Sequence, residues 1–154
     1  MVKHSLLVPV AVAGFVTLAA WAVRPAAAQS ALRQPFPTIW SGVYSKTEAE
    51  RGKQVYAQQC SRCHGTDMKG GLTAPSLIGA KFFDRWHDLR LADVVAFIQA
   101  GMPQKHEFYV PSDSARAIVA LILQESGVPA GHDPMSTDVK IQHGILVTRP
   151  TLIR

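Results

Sequence analysis

Apolar residues recur at helical spacing in several short stretches of this chain, and with a two-residue period in only one. A first helix is expected to start at Thr47, because Thr47 and Glu50 have the spacing of a hydroxyl and a carboxyl that cap each other's backbone donors. Gly52, Val55, Tyr56 and Cys60 then share one face of it. A short helix is predicted over 80–86 and another over 91–100, where Val94, Val95 and Ile98 recur before Gly101 and Pro103 stop the pattern. The strongest amphipathic stretch covers 113–126, with Ser112 or Asp113 as its cap and an apolar face of Ala115, Ile118, Val119 and Ile122. Gly127 and Pro129 end it.

The segments between these helices are of three kinds. Over 29–46, Pro35, Pro37 and Gly42 mix with Phe36, Trp40 and Tyr44 without any period, which predicts an irregular lead-in whose aromatics pack on the domain. Over 65–79, Gly65, Gly70, Gly71, Pro75 and Gly79 rule out a long regular element and predict a loop that wraps around something. The tail over 131–154 alternates Val139, Ile141, His143, Ile145 and Val147, which fits one strand, but no partner strand is visible and the tail is assigned no role. Four short helices and no clear sheet predict an all-α domain over 47–130, with no internal repeat.

Composition adds the compartment. At 154 residues, 47% hydrophobic and 18% charged, the chain suits one ordinary globular domain. Lys3 and His4 precede an apolar run from Leu6 to Val23 and then Ala26, Ala27 and Ala28, which reads as a secretory signal over 1–28 with Gln29 as the new N-terminus. The competing reading is an uncleaved anchor, since the run is close to the roughly 20 residues that span a bilayer. Either way the domain is exported, and a periplasmic location is expected, with membrane attachment only if the segment stays. Without 1–28 the chain holds 14 Lys and Arg against 11 Asp and Glu, a net charge of +3. That is too mild for a nucleic-acid partner, which asks for a clustered basic stripe.

Both cysteines lie in the exported part, as Cys60, Ser61, Arg62, Cys63 and His64. A Cys-x-x-Cys-His run reads as a c-type haem attachment site. Each thiol adds to one haem vinyl group, and the adjacent histidine is held under the iron as proximal ligand. A thioredoxin-like redox pair needs a βαβ context that the helical pattern does not supply. Half of a zinc site needs two distant histidines to complete its four ligands. For the far side of the iron, Met102 is the best candidate, since it ends a helix and is fixed by Pro103. A thioether there raises the reduction potential and blocks small ligands. Met135 lies in the tail and Met68 follows His64 too closely to cross the haem plane, whereas His87 and His106 are rivals that would lower the potential.

On these residues, together with Ala74, Pro75, Ser76, Leu77 and Gly101, Met102, Pro103, the stretch from about Gly42 to Gly131 resembles the class I cytochrome c family. The resemblance implies that the Pro75 carbonyl accepts from the second ring nitrogen of His64, that Leu77 lies against the haem and Trp86 near a propionate, and that Gly52 and Tyr56 belong to the crossing of the first and last helices. Gly42, Val43, Tyr44 and the run Gly127, Val128, Pro129, Ala130, Gly131 are similar to single-haem bacterial cytochromes that serve dehydrogenases. Arg90 departs from the pattern, standing where relatives often carry a threonine that caps the third helix.

The expected function is single-electron transfer by one covalently attached haem with His64 and Met102 as axial ligands, with no catalytic residues. The chain is then a free carrier or the cytochrome subunit of a dehydrogenase complex, and its partners are a periplasmic dehydrogenase and a downstream cytochrome or oxidase. The alternative is a haem peroxidase or gas-binding sensor, which requires a displaceable distal ligand. Arg62, Lys69 and Lys105 are candidates for a basic ring around the haem edge that steers an acidic partner.

Overall fold

A computed structural model describes residues 36–103 and 109–150. The expected signal over 1–28 therefore lies outside the described residues, as do Lys105 and His106. Among the described residues a 3₁₀ turn at Ile39–Ser41 is followed by six helices: α1 (Lys46–Gln59), α2 (Ser61–His64), α3 (Ala80–Trp86), α4 (Leu91–Gly101), α5 (Ser112–Glu125) and α6 (Val139–Gly144). The fold is all-α. Among the described residues extended backbone pairs only as isolated bridges, and no helix is long and apolar enough to cross a membrane.

Two helix starts differ from the sequence expectation. The cap of α1 is Ser45, whose hydroxyl accepts the Glu48 N–H at 3.2 Å, while Thr47 and Glu50 are exposed within the first turns. Glu48 does not complete a reciprocal cap; its buried carboxylate accepts the Met135 N–H at 2.7 Å and ties the tail to α1. The cap of α5 is Pro111 rather than Ser112 or Asp113, and the Ser112 hydroxyl instead accepts from the Arg116 guanidinium at 2.7 Å. Proline's fixed φ, here −53°, suits the extended residue that leads into the helix. At α4 the missing threonine is made good by Asp93, whose carboxylate accepts the Arg90 N–H at 2.8 Å, so that the helix starts at Leu91 as predicted.

The main packing is α1 across α5. A Cβ on Gly52 would lie 1.9 Å from the Ala117 carbonyl oxygen and 3.1 Å from Leu121 Cβ, so the two helices touch backbone to backbone at that point. The core around the crossing is Ala49, Tyr56, Ala117, Val119, Ala120 and Leu123, all buried.

The tail forms α6 rather than a strand over its first part. Asp138 caps the helix by accepting the Lys140 N–H at 2.8 Å, and Val139 and Ile141, read as one face of a strand, are 57% and 54% exposed. Only beyond Gly144 does the alternation describe the backbone. Ile145 and Val147 are buried, and this extended stretch bonds on both sides: Leu91 N–H to Ile145 O at 3.0 Å, Val147 N–H to Leu89 O at 2.9 Å, Leu146 N–H to Pro37 O at 2.9 Å and Ile39 N–H to Leu146 O at 2.9 Å. The tail thus stitches the lead-in to the α3–α4 turn, and the described residues form one compact unit. Trp40 from the lead-in donates to Thr148 O at 3.0 Å and stacks on Phe83 with ring centres 6.0 Å apart, while Phe36 stays exposed.

Candidate functional site

The end of α1 builds one wall of the site. Cys60 N–H donates to Tyr56 O at 2.9 Å as the last bond of that helix, and the chain turns directly into α2, where His64 N–H donates to Cys60 O at 3.1 Å. This single turn presents Cys60 half-buried, Cys63 exposed and His64 buried. Gly65 ends α2 with φ of +80°, a left-handed conformation that glycine adopts without a Cβ penalty. Its carbonyl accepts from the Tyr56 hydroxyl at 2.6 Å.

The wrapping loop is held back against α2. Gly70 N–H donates to His64 O at 2.9 Å, and a Cβ on Gly70 would lie 2.5 Å from the Pro75 carbonyl carbon, so only glycine fits there. This close approach brings the Pro75 carbonyl to 2.9 Å from His64 Nδ1. A carbonyl only accepts, so Nδ1 carries the proton and Nε2 keeps its lone pair.

Beside this turn lies an open cleft with about 1070 Å³ of unfilled space, counting its solvent-facing mouth. Cys60, Cys63 and His64 line it, and so do Pro75, Leu77, Trp86 and Met102. The sequence-predicted site residues are therefore together. Met102 follows α4 in extended conformation, with φ −130° and ψ 146°, and Pro103 reaches the same cleft. Trp86 meets Phe97 edge-on at 5.3 Å, with the Arg85 guanidinium 5.1 Å and 4.7 Å from the two ring centres.

The rivals for the distal position that the structure describes lie elsewhere. His87 is exposed just after α3, 3.7 Å from Asp88. Met68 is buried among Lys53, Tyr56 and Asp67 behind the loop, and Met135 is buried where its N–H meets Glu48. Sequence reasoning missed Phe82, Phe97, Val110 and Thr73, which also line the cleft. Phe97 was legible in principle, standing one helical turn after Val94 on the face that the cleft uses.

Burial, and then Cys63, push the Cys60 thiol up to about 11. A thiol held protonated at neutral pH is the opposite of the lowered-pKa thiolate that disulfide exchange uses. Burial is also the first cause that lifts the Tyr56 hydroxyl to about 12, ahead of Cys60 and Asp67. Among the described residues no three or more His, Cys, Asp or Glu side chains group to hold a metal ion by themselves. A haem does fit the residues present: the cleft is predominantly apolar, its histidine has a free Nε2, and a thioether and two thiols complete the donor set.

Residues 47–122 match the family described as cytochrome c oxidase, cbb3-type, subunit III. No curated protein matches the chain significantly. Among solved structures, the sulfane dehydrogenase SoxCD from Paracoccus pantotrophus is similar at 18% identity and a TM-score of 0.49, over 76% of this chain and 62% of that one. This chain thus spans less than two thirds of that protein's length. Residues 47–122 therefore form a class I cytochrome c domain of the cbb3-type subunit III kind, a family that implies haem and electron transfer.

Proposed function

We propose that this protein is an exported single-haem electron carrier whose iron is held between His64 and Met102. The observation that carries this reading is the shared cleft. It gathers both cysteines, a histidine with its Nε2 free and one methionine, while the other described methionine and histidine candidates lie outside it. When bound, the haem supplies a one-electron ferric/ferrous couple.

Each residue then has a definite task. Cys60 and Cys63 would hold the group covalently through their sulfurs. Pro75 fixes the orientation and tautomer of His64, leaving Nε2 as the atom that would hold the iron. Met102 would hold the iron with a soft thioether donor, which would raise the potential and keep small ligands off it. Leu77, Phe82, Phe97 and Ile118 line the cleft with apolar surface, which would disfavour the more highly charged ferric form. Trp86, packed on Phe97, would close one edge of the haem site. With Met102 holding the iron, substrate would have no place on it, and the protein would act as a carrier rather than an enzyme. Export through the segment 1–28 places it in the periplasm, where a dehydrogenase is the electron donor and a downstream cytochrome or oxidase the acceptor.

The test is the loaded protein itself. Its denatured mass is expected to exceed the processed chain by one haem, and the oxidised form to show the far-red absorption band of iron bound by methionine sulfur. Apoprotein or two haems per chain would refute the cofactor assignment, and a missing far-red band would refute Met102.

A further inference from the structure

One wall of the cleft is a helix that the helical core holds lightly. Phe82 and Trp86 of α3 line the cleft, yet among the described helices the close pairings are α1 with α5, α4 with α5, α4 with α6 and α1 with α2. Seven residues that start at Gly79 without a side-chain cap are too few to stay helical by themselves. The ends of α3 do meet the core: Gly79 N–H donates to the Ser126 hydroxyl at 3.1 Å, and Trp86 meets Phe97 edge-on.

Its middle and its exit are held by two segments outside residues 47–122, the matched domain. Half-buried Trp40 of the lead-in stacks on Phe83 with 21° between the ring planes, and Phe83 meets Phe82 edge-on at 5.3 Å. The tail holds Trp40 in turn, by accepting its indole N–H at Thr148 O. It also bonds the turn that leaves α3. Asp88 stands there in a left-handed conformation at φ +66°, which a residue with a Cβ rarely adopts, and its N–H donates to Val147 O at 3.0 Å. Arg149 pairs with Asp84 on α3 itself at 2.9 Å.

We propose that the lead-in and the tail clamp α3, with Trp40 as the residue that positions Phe82 and Trp86 in the cleft wall. None of the described residues that line the cleft comes from either segment, so the clamp acts through α3 and not by contact with the haem. An aromatic pair and a half-buried hydrogen bond together hold back an opening equilibrium by about tenfold or more. With α3 held, the cleft keeps its apolar wall. With α3 loose, water enters beside Phe82 and favours the more highly charged ferric form, which lowers the potential. The effect on the potential rests on the electron-carrier reading, whereas the effect on α3 rests on the packing alone.

The test uses the haem-loaded protein, with hydrogen exchange read over residues 80–88 and the potential read by voltammetry. Trp40→Ala is expected to speed that exchange by about tenfold or more and to lower the potential. Trp40→Phe keeps a flat ring on Phe83 and loses only the N–H, so it is expected to stay much closer to wild type. Trp40→Leu keeps bulk without the flat face; it is expected to show the changes of Trp40→Ala to a smaller extent, and it carries the test if Trp40→Ala does not load haem. Val119→Ala, which thins the core at the α1–α5 crossing, is expected to lower the unfolding midpoint and leave the potential unchanged. Exchange over 80–88 that stays at the wild-type rate in Trp40→Ala or Trp40→Leu overturns the clamp. Faster exchange with an unchanged potential overturns its role in electron transfer, as does an equal shift of potential in Val119→Ala. Trp40→Phe as impaired as Trp40→Ala overturns the stack as the positioning contact. A wild type with no reversible one-electron wave strikes the carrier reading, and the exchange over 80–88 then still decides whether the clamp exists.

Discussion

Gly52→Ala tests the contact on which the helix crossing depends. The new methyl carbon would stand 1.9 Å from the Ala117 carbonyl oxygen, 2.6 Å from its carbon and 3.1 Å from Leu121 Cβ. Comfortable contact needs about 3.5 Å, so α1 and α5 must separate by roughly 1.5 Å or tilt. The obstacle is helical backbone, which cannot rotate aside as a flexible side chain can. Overpacking a tight core costs about 1–3 kcal/mol, and this site belongs at the upper end. Alanine returns about 1 kcal/mol through its better helix propensity, which leaves a net loss of about 2 kcal/mol. For a domain of this size that corresponds to a fall in Tm of about 8 °C, at roughly 4 °C per kcal/mol. Urea unfolding followed by circular dichroism should show a lower midpoint with an unchanged slope, the mark of a pure stability change. Gly71→Ala is the control, since nothing lies within 4 Å of the point where its added methyl would stand, and its effect should stay within about 0.5 kcal/mol. A Gly52→Ala protein as stable as wild type, or more so, would mean that propensity decides and that the crossing is looser than 1.9 Å implies.

Met102→Ala is expected to keep the haem attached while lowering the potential and admitting carbon monoxide or azide; voltammetry and difference spectra check this, and unchanged values would move the sixth ligand to another residue. Glu48→Ala leaves the buried Met135 N–H without a partner and should cost about 1–3 kcal/mol, whereas Glu48→Gln keeps an accepting oxygen and should cost less, as read by thermal unfolding. Tyr56 has its folded-state pKa raised above the usual 10.0 to about 12, so the folded form holds its proton more firmly, and stability that is complete below 10 should fall as pH rises toward 12. Tyr56→Phe should flatten that alkaline decline in a pH series of urea midpoints, and an equally steep decline would assign it to other groups, such as the likewise raised Tyr44.

The local chemistry of this protein is written in short stretches of chain. A Cys-x-x-Cys-His run has its meaning within five residues, and the helices over 80–86 and 91–101 are legible because periodicity and stop signals are local properties. Cap positions were less legible, because Ser45, Thr47 and Ser112 all carry suitable hydroxyls and their surroundings choose among them. Ser45 wins at α1, where Glu48 is drawn inward by Met135, a partner 87 residues away. The tail shows the same limit. Alternating Val139, Ile141, Ile145 and Val147 satisfies a strand pattern, yet Asp138 starts a helix, and only the stretch after Gly144 finds backbone partners, at Pro37, Ile39, Leu89 and Leu91. Those partners come from two distant segments, so no window of sequence contains them. What the tertiary structure alone decided is which groups share the cleft: Met102 and Phe97 meet the Cys60–His64 turn there, whereas Met68, His87 and Met135, chemically as capable, are carried elsewhere by the packing of α1 against α5 and the path of the loop. Donor chemistry belongs to the residue, but proximity belongs to the fold.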